Sequence, residues 1–129
     1  MEMEITFPGG KRVDASMGSH VIKTDQSVQS GGEGAAPEPY LLFLSSLGTC
    51  AGIYVLGFCQ SRGLPTAGLK LTQKMDWDPV THRLTDIGIT IHLPEGFPEK
   101  YRDAVIRAAD QCVVKRTIQD PPQLVVRTV

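Results

Sequence analysis

Three cysteines, Cys50, Cys59 and Cys112, are the residues of this 129-residue chain best suited to covalent chemistry. A cysteine thiolate is a nucleophile, and two thiols whose Cα atoms come within about 7 Å can form a disulfide. Cys50 lies among small residues in the text GTCAG, which leaves room around its sulfur for a partner or a substrate. The sequence therefore indicates thiol redox chemistry, with Cys50 as the first candidate.

The spacing of the cysteines decides which of them can meet. Cys50 and Cys59 fall in one predicted helix, and nine residues of helix turn through about 900°, so their side chains point to opposite sides. Cys112 lies on the apolar face of a second predicted helix, and a helix packed across the first could bring it to Cys50. We interpret Cys59 as a packing residue, because cysteine is among the most buried residue types.

Composition and motifs exclude several classes of function. The net charge of −1 gives no reason to expect nucleic acid or anionic lipid as a partner. No CxxC motif is present, and His20, His82 and His92 are scattered, so we expect no metal site. Two glutamates in the N-terminal text MEMEITF argue against a secretory signal, and the three cysteines do not form an even disulfide framework. We expect a cytoplasmic protein.

The elements that must position the cysteines follow from periodicity and from turn residues. Short apolar-polar alternation predicts strands, and apolar residues at spacings of three and four predict helices. We expect one α+β domain over residues 1–129. Its predicted parts are N-terminal strands and a mobile glycine-rich loop over 1–36, a central helix over 37–63, a hairpin over 67–93, a second helix over 97–116 and a C-terminal strand over 124–129.

No charged residue interrupts the text LFLSSLGTCAGIYVLGFC at residues 42–59, so the central helix is long enough to span a membrane. A small membrane-anchored protein is therefore one alternative, and the pair Gly48 and Gly52 is a packing motif known from membranes. Against it, basic residues near the stretch are few. In a soluble protein, an apolar helix of roughly 36 Å needs a second subunit to cover it, so we predict an intertwined homodimer.

The chain resembles the OsmC/Ohr family, the osmotically inducible and organic hydroperoxide resistance proteins, in three segments. They are PYLLFLSSLGTCAG at residues 39–52, HRLTDIGITIHL at 82–93 and AADQCVVKR at 108–116. The resemblance implies an OsmC-like α+β fold with antiparallel sheets around long central helices, an intertwined homodimer and a cofactor-free peroxidase of oxidative stress defence. By position, Cys50 corresponds to the thiol that attacks an organic hydroperoxide. Cys112 corresponds to the thiol that resolves the sulfenic acid into a disulfide, which an external dithiol reduces.

The resemblance also implies an arginine from the N-terminal strands, held by a glutamate near the start of the helix, that activates the attacking thiol. Arg12, with Lys11 beside it, is the best match for the arginine. The glutamate position departs from the family pattern, because tyrosine and leucine follow Pro39 and the nearest acid is Glu38, before the proline. Glu38 is therefore the candidate acid.

Other sources of activation stay open. Cys50 lies about three turns into its own helix, too far for the dipole of that helix to act. Lys115 or Arg116 is an alternative cation, and weaker activation of Cys50 is another possibility. Weaker activation would fit an alternative function, a non-catalytic redox sensor or a dimer that binds an apolar ligand.

Overall fold

Alternating residues at the N-terminus form a three-stranded antiparallel sheet in the computed structural model, which describes residues 1–129. Its strands, in the order β1-β2-β3, are β1 (Glu4–Gly9), β2 (Arg12–Met17) and β3 (His20–Ile22). Gly10 and Gly18 occupy the two turns with φ of 59° and 57°, a left-handed conformation that glycine adopts without strain. All residues of β1 and β3 are exposed, including the apolar Ile5, Phe7 and Val21.

The loop after β3 has a defined structure, although its composition predicts a mobile segment. The carboxylate of Asp25 is buried and accepts hydrogen bonds from the backbone amides of Gln26, Glu33 and Ala35, at 2.8, 3.2 and 3.1 Å. A Cβ atom at Gly32 would lie 2.1 Å from the carbonyl oxygen of Gln26, so this position requires glycine. The loop is thus folded around one acidic side chain.

The uncharged stretch forms a single helix, α1 (Pro39–Ser61), within the predicted range 37–63. The helix ends at Gly63 with φ of 61°, where the amide of Leu64 donates to the carbonyl of Cys59 at 2.9 Å. By length and composition α1 could cross a membrane, a property that the core helices of soluble proteins share. The chain divides within this helix into two compact units, Met1–Ser45 and Ser46–Val129. The single domain over residues 1–129 stays a prediction.

The second unit contains the predicted hairpin, formed by β4 (Lys70–Trp77) and β5 (Leu84–His92). The turn between them is held by Asp78, whose carboxylate accepts hydrogen bonds from the amides of Val80 and Thr81 at 2.8 and 2.7 Å. The core of the unit is a cluster of buried residues from α1, from the segment after β5 and from the next helix, namely Val55, Cys59, Phe97 and Val105.

The predicted second helix over 97–116 is wrong as a continuous element. A short 3₁₀ turn (Glu99–Tyr101) leads into α2 (Arg102–Ala109), and a separate helix, α3 (Val113–Gln119), follows a break at residues 110–112. The break arises because Cys112 leaves the helical conformation, with ψ of 119°, and its sulfur accepts a hydrogen bond from the amide of Lys115 at 3.4 Å. Cys112 is therefore the N-cap of α3 rather than a residue inside a helix.

The predicted strand over 124–129 is also absent. Residues 121–129 form neither helix nor strand, and the side chains of Leu124 and Val126 are exposed. Pro121 and Pro122 end the helical region, but a strand forms only where another strand takes its backbone hydrogen bonds. The three helices and the antiparallel sheets nevertheless confirm the predicted α+β fold class.

Candidate active site

Cys50 and Cys112 lie together in the second unit of the chain. Cys50 is half-buried on α1, Cys112 is 1% exposed at the start of α3, and the two thiols lie close enough for each to shift the pKa of the other. The thiol of Cys112 also lies 3.9 Å from the carbonyl oxygen of Leu47, three residues before Cys50 on α1. The structure thus brings together the two cysteines that the family resemblance pairs.

The environment of Cys50 favours its thiolate. A hydrogen bond from the backbone amide of Val114 is the largest influence and lowers the pKa of Cys50. Burial of the sulfur opposes this effect, while the thiol of Cys112 and the amide of Val113 add to it. The amides belong to the first turn of α3, where backbone N–H groups have no partner within the helix. The thiolate of Cys50 is therefore stabilised by the start of a neighbouring helix.

The environment of Cys112, in contrast, disfavours its thiolate. Burial raises the pKa of its thiol, and the hydrogen bond and charge of Cys50 raise it further. The amides of Lys115 and Val114 lower it, but they do not reverse the direction. Because one thiol is pushed toward the thiolate and the other is kept protonated, Cys50 is the better nucleophile and Cys112 the better hydrogen-bond donor.

The other three predicted site residues have partners in the first unit. Arg12 forms an ion pair with Glu33 in the glycine-rich loop. Glu38 accepts a hydrogen bond from the amide of Ser27 at 2.9 Å, which ties the start of α1 to that loop. Lys11 lies in the turn between β1 and β2, and its side chain passes near Gly31. Their predicted part in activating Cys50 stays a prediction.

In Lys115, the alternative cation, the side-chain ammonium group and the backbone amide have different partners. Its ammonium forms an ion pair with Asp110, and its backbone amide donates to the sulfur of Cys112. The groups that lower the pKa of Cys50 are backbone amides and a thiol, not a side-chain cation. Sequence reasoning missed this source of activation because it placed Cys112 inside a continuous helix, and no residue pattern marks the break.

Beside Cys112 lies an apolar cavity of about 810 Å³. It is lined by β5 and by residues of α1, α2 and α3, and charged side chains from α2 and α3 stand among its lining residues. The apolar lining is formed by Leu47, Ala51, Ile87, Ile89, Ile91, Leu93, Val105, Ile106, Ala109 and Ile118. Cys112 lies in the wall of this cavity and Cys50 does not, and the mainly apolar lining suits a ligand with an apolar body.

Cys59 stands apart from this site. Its side chain is fully buried in the core cluster beside Val55 and Phe97, and burial raises the pKa of its thiol. These properties are those of a packing residue. Nowhere in the chain do three His, Cys, Asp or Glu side chains come together as metal ligands would.

Comparison of the chain with known proteins shows the family to which it belongs. The family model for OsmC-like protein matches residues 31–127. No curated protein matches the chain. Among solved structures, an osmotic stress induced and detoxification response protein from Psychrobacter arcticus 273-4 is similar, with a TM-score of 0.69, 24% identity and coverage of 89% of this chain and 85% of that one.

A second solved structure, an organic hydroperoxide resistance protein OsmC from Legionella pneumophila, has a TM-score of 0.57 at 17% identity. The match covers 92% of this chain and 90% of that one. These likenesses show a shared fold. The family match includes the helix that carries Cys50, the hairpin and the break that carries Cys112, and it confirms the resemblance seen in the sequence: the chain belongs to the OsmC-like protein family.

Proposed function

We propose that the protein is a thiol-dependent peroxidase that reduces organic hydroperoxides as part of a redox response to stress. The observation that carries this proposal is the contact between Cys50 and Cys112, with the pKa of the first thiol lowered and that of the second raised. Membership of the OsmC-like family supports a redox role in stress. The Legionella pneumophila neighbour, an organic hydroperoxide resistance protein, supports the choice of substrate.

The proposed cycle uses the two sulfurs in sequence. The Cys50 thiolate attacks one peroxide oxygen, the O–O bond breaks, and the alkoxide takes up a proton and leaves as an alcohol. The thiol of Cys112 then loses its proton and attacks the Cys50 sulfenic acid, which releases water and forms a disulfide. An external dithiol reduces this disulfide and is itself oxidised to a disulfide.

The environment of the cysteines favours an apolar substrate. The cavity of about 810 Å³ next to Cys112 is lined mainly by isoleucine, leucine, valine and alanine side chains. An alkyl or lipid hydroperoxide can bury its hydrocarbon part there, at about 0.8 kcal/mol for each CH₂ group, whereas hydrogen peroxide gains nothing from the same surface. We therefore expect organic hydroperoxides to react faster than hydrogen peroxide.

The proposal includes a homodimer in a reducing cytoplasm. Large apolar side chains are exposed on β1 and β3 of the first unit, among them Ile5, Phe7 and Val21. Ile53 in the middle of α1 is 60% exposed. Exposed apolar patches of this kind mark surfaces that another protein covers, and a second copy is the simplest partner.

One equivalent of an organic hydroperoxide tests the proposal. We expect peptide mass spectrometry to find a bridge between Cys50 and Cys112, and consumption of tert-butyl hydroperoxide with excess dithiol to disappear in Cys50→Ser. Cys59→Ala is the matched control and should retain the activity, because Cys59 packs in the core apart from the paired cysteines. Consumption by Cys50→Ser at the wild-type rate would disprove the role of Cys50.

The same experiment separates a second function. The pKa of Cys50 is lowered by amides and a thiol rather than by a cation, which suits a cysteine that is activated only moderately. A bridge that forms once and is not turned over by any dithiol would favour a redox sensor or an apolar-ligand-binding dimer. Partition of the protein into detergent would favour the membrane-anchored alternative.

A further inference from the structure

The ion pair between Lys115 and Asp110 crosses the break between α2 and α3. Asp110 is the C-cap of α2 and Lys115 is the third residue of α3, so the two side chains bracket Cys112. The amide of Lys115 also donates to the sulfur of Cys112 at 3.4 Å. Lys115 therefore contacts Asp110 across the break with its ammonium group and contacts Cys112 with its backbone amide.

Each of the two charges sits at the helix end that disfavours it. The C-terminus of a helix repels an acid such as Asp110, and the first turn of a helix repels a cation such as Lys115. Neither charge stabilises the helix to which it belongs. Paired across the break, each offsets the other, and the pair ties the end of α2 to the start of α3.

We infer that Asp110 and Lys115 are positioning residues for Cys50, because their ion pair holds the start of α3 against the sulfur on α1. The inference deepens the proposed function, since it names the residues that keep Cys50 reactive. Neither side chain touches the reacting atoms in this role. The N-cap of α3, Cys112, lies 3.9 Å from the carbonyl oxygen of Leu47 on α1, and the next two amides, of Val113 and Val114, lower the pKa of Cys50. The ion pair sets where those amides stand.

A direct effect of the ammonium charge on Cys50 is the rival explanation, and it predicts a different pattern. If Lys115 acted as a cation on the thiolate, removing Lys115 would slow Cys50 and removing Asp110 would speed it. If the pair positions α3, removing either residue slows Cys50, and removing both slows it no further.

The test is the rate at which iodoacetamide modifies Cys50 from pH 5 to 10, in the reduced protein without peroxide. Chymotryptic peptides separate the cysteines, because Tyr54 and Phe58 lie between Cys50 and Cys59. For Asp110→Asn, Lys115→Met and the double variant, we expect alkylation at pH 7 to fall about two- to fivefold, the range open to an exposed ion pair. The midpoint of the pH profile should rise, and Lys115→Arg should retain the wild-type profile.

Lys74→Met and Asp76→Asn are matched controls, because they break an ion pair of the same type, 2.8 Å long, on β4. In both control variants we expect the alkylation rate of Cys50 and the midpoint of its pH profile to stay unchanged. Opposite effects of Asp110→Asn and Lys115→Met, or no effect of both, would overturn the inference, as would an equal effect of the controls. Circular dichroism verifies the fold, and Asp110→Ser repeats the test should Asp110→Asn unfold. Peroxide consumption is measured separately, so a chain that consumes no peroxide overturns the proposed function and leaves this test intact.

Discussion

The sulfur of Cys112 lies 3.9 Å from the carbonyl oxygen of Leu47, one turn before Cys50 on the same helix. A thiol has one proton, and a hydrogen bond from the Cys112 thiol is also one of the causes that lower the pKa of Cys50. The proton therefore has two acceptors on α1, and the stronger acceptor is the sulfur of Cys50 once Cys50 is ionised. Ionisation of Cys50 is therefore coupled to the direction in which the thiol of Cys112 donates its proton.

The first prediction concerns the relative reactivity of the three cysteines. The pKa of Cys50 is lowered and the pKa values of Cys112 and Cys59 are raised, so at neutral pH the thiolate is concentrated on Cys50. We expect iodoacetamide at pH 7 to modify Cys50 on the order of tenfold faster than either of the others. Site-resolved mass spectrometry measures the three rates. Equal rates in the folded protein would contradict the assignment, and the protein unfolded in urea is the control.

The second prediction separates the two roles of Cys112. In Cys112→Ser, a hydroxyl replaces the sulfur that accepts from the amide of Lys115, and serine is a preferred N-cap, so α3 should stay in place. In Cys112→Val the cap is lost, at a cost of about 1 kcal/mol. We expect Cys50 to keep a lowered alkylation midpoint in the serine variant and to lose part of it in the valine variant.

Peroxide treatment completes this comparison. Neither Cys112 variant can form the bridge, so Cys50 should accumulate sulfenic and then sulfinic acid, which intact-protein mass spectrometry detects as added oxygen. Turnover should be lost in both. A serine variant whose alkylation midpoint rises as far as that of the valine variant would show that the thiol itself, and not the cap, lowers the pKa of Cys50.

The third prediction concerns Asp25 and the stability of the first unit. A hydrogen bond from the amide of Ala35 is the largest cause that lowers the pKa of Asp25 below 3.8. A carboxyl group of this kind contributes stability above its unfolded pKa, and the contribution is lost as pH falls through the lowered value. We expect Asp25→Asn to lower the melting temperature at pH 7 by a few degrees. The difference from wild type should shrink below pH 3.8.

Thermal unfolding at pH 7 and at pH 3 measures this effect. Asp86→Asn on the exposed face of β5 is the control, and we expect it to leave the melting temperature unchanged. A difference between Asp25→Asn and wild type that stays constant into acid would mean that the carboxylate charge is not what holds the loop.

The fourth prediction concerns the proposed dimer. Ile53 is 60% exposed on α1, and Val80 is 83% exposed in the turn between β4 and β5. If a second copy covers α1, a charge at position 53 is buried without a partner and at position 80 stays in water. We expect Ile53→Lys to weaken the dimer at least tenfold and Val80→Lys to leave it intact, as measured by sedimentation velocity over a range of concentrations. A wild-type chain that sediments as a monomer would remove the dimer from the proposal.

Local patterns predicted much of the fold, and they failed where tertiary contacts decide. The alternation of apolar residues predicts the hairpin, and the uncharged stretch with Gly63 at its end predicts α1. The second helix was predicted without its break, because a cysteine N-cap is not a recognised helix start. The C-terminal strand was predicted from composition alone, whereas a strand needs a neighbour to form.

The candidate site likewise has features that the sequence predicts and features that it does not. The meeting of Cys50 and Cys112 was implied by the family resemblance, and periodicity placed Cys112 on an inward face. The source of activation was not predictable, because it depends on the direction of α3 relative to Cys50. That direction follows from three-dimensional packing, and the residues Val113 and Val114 carry no chemical signal of their own. The composition of the loop around Asp25 likewise gives no sign of its hydrogen bonds.

Cys50 and Cys112 enclose nearly the whole core of the second unit in sequence, since Val55, Cys59, Phe97 and Val105 all fall between them. A disulfide between them would close a covalent ring around that core and would disfavour the unfolded chain by about 4 kcal/mol in the loop-entropy model. In the proposed cycle, each oxidation would lock the unit and each reduction would release it. Resistance to unfolding would then rise and fall with the redox state of the cell.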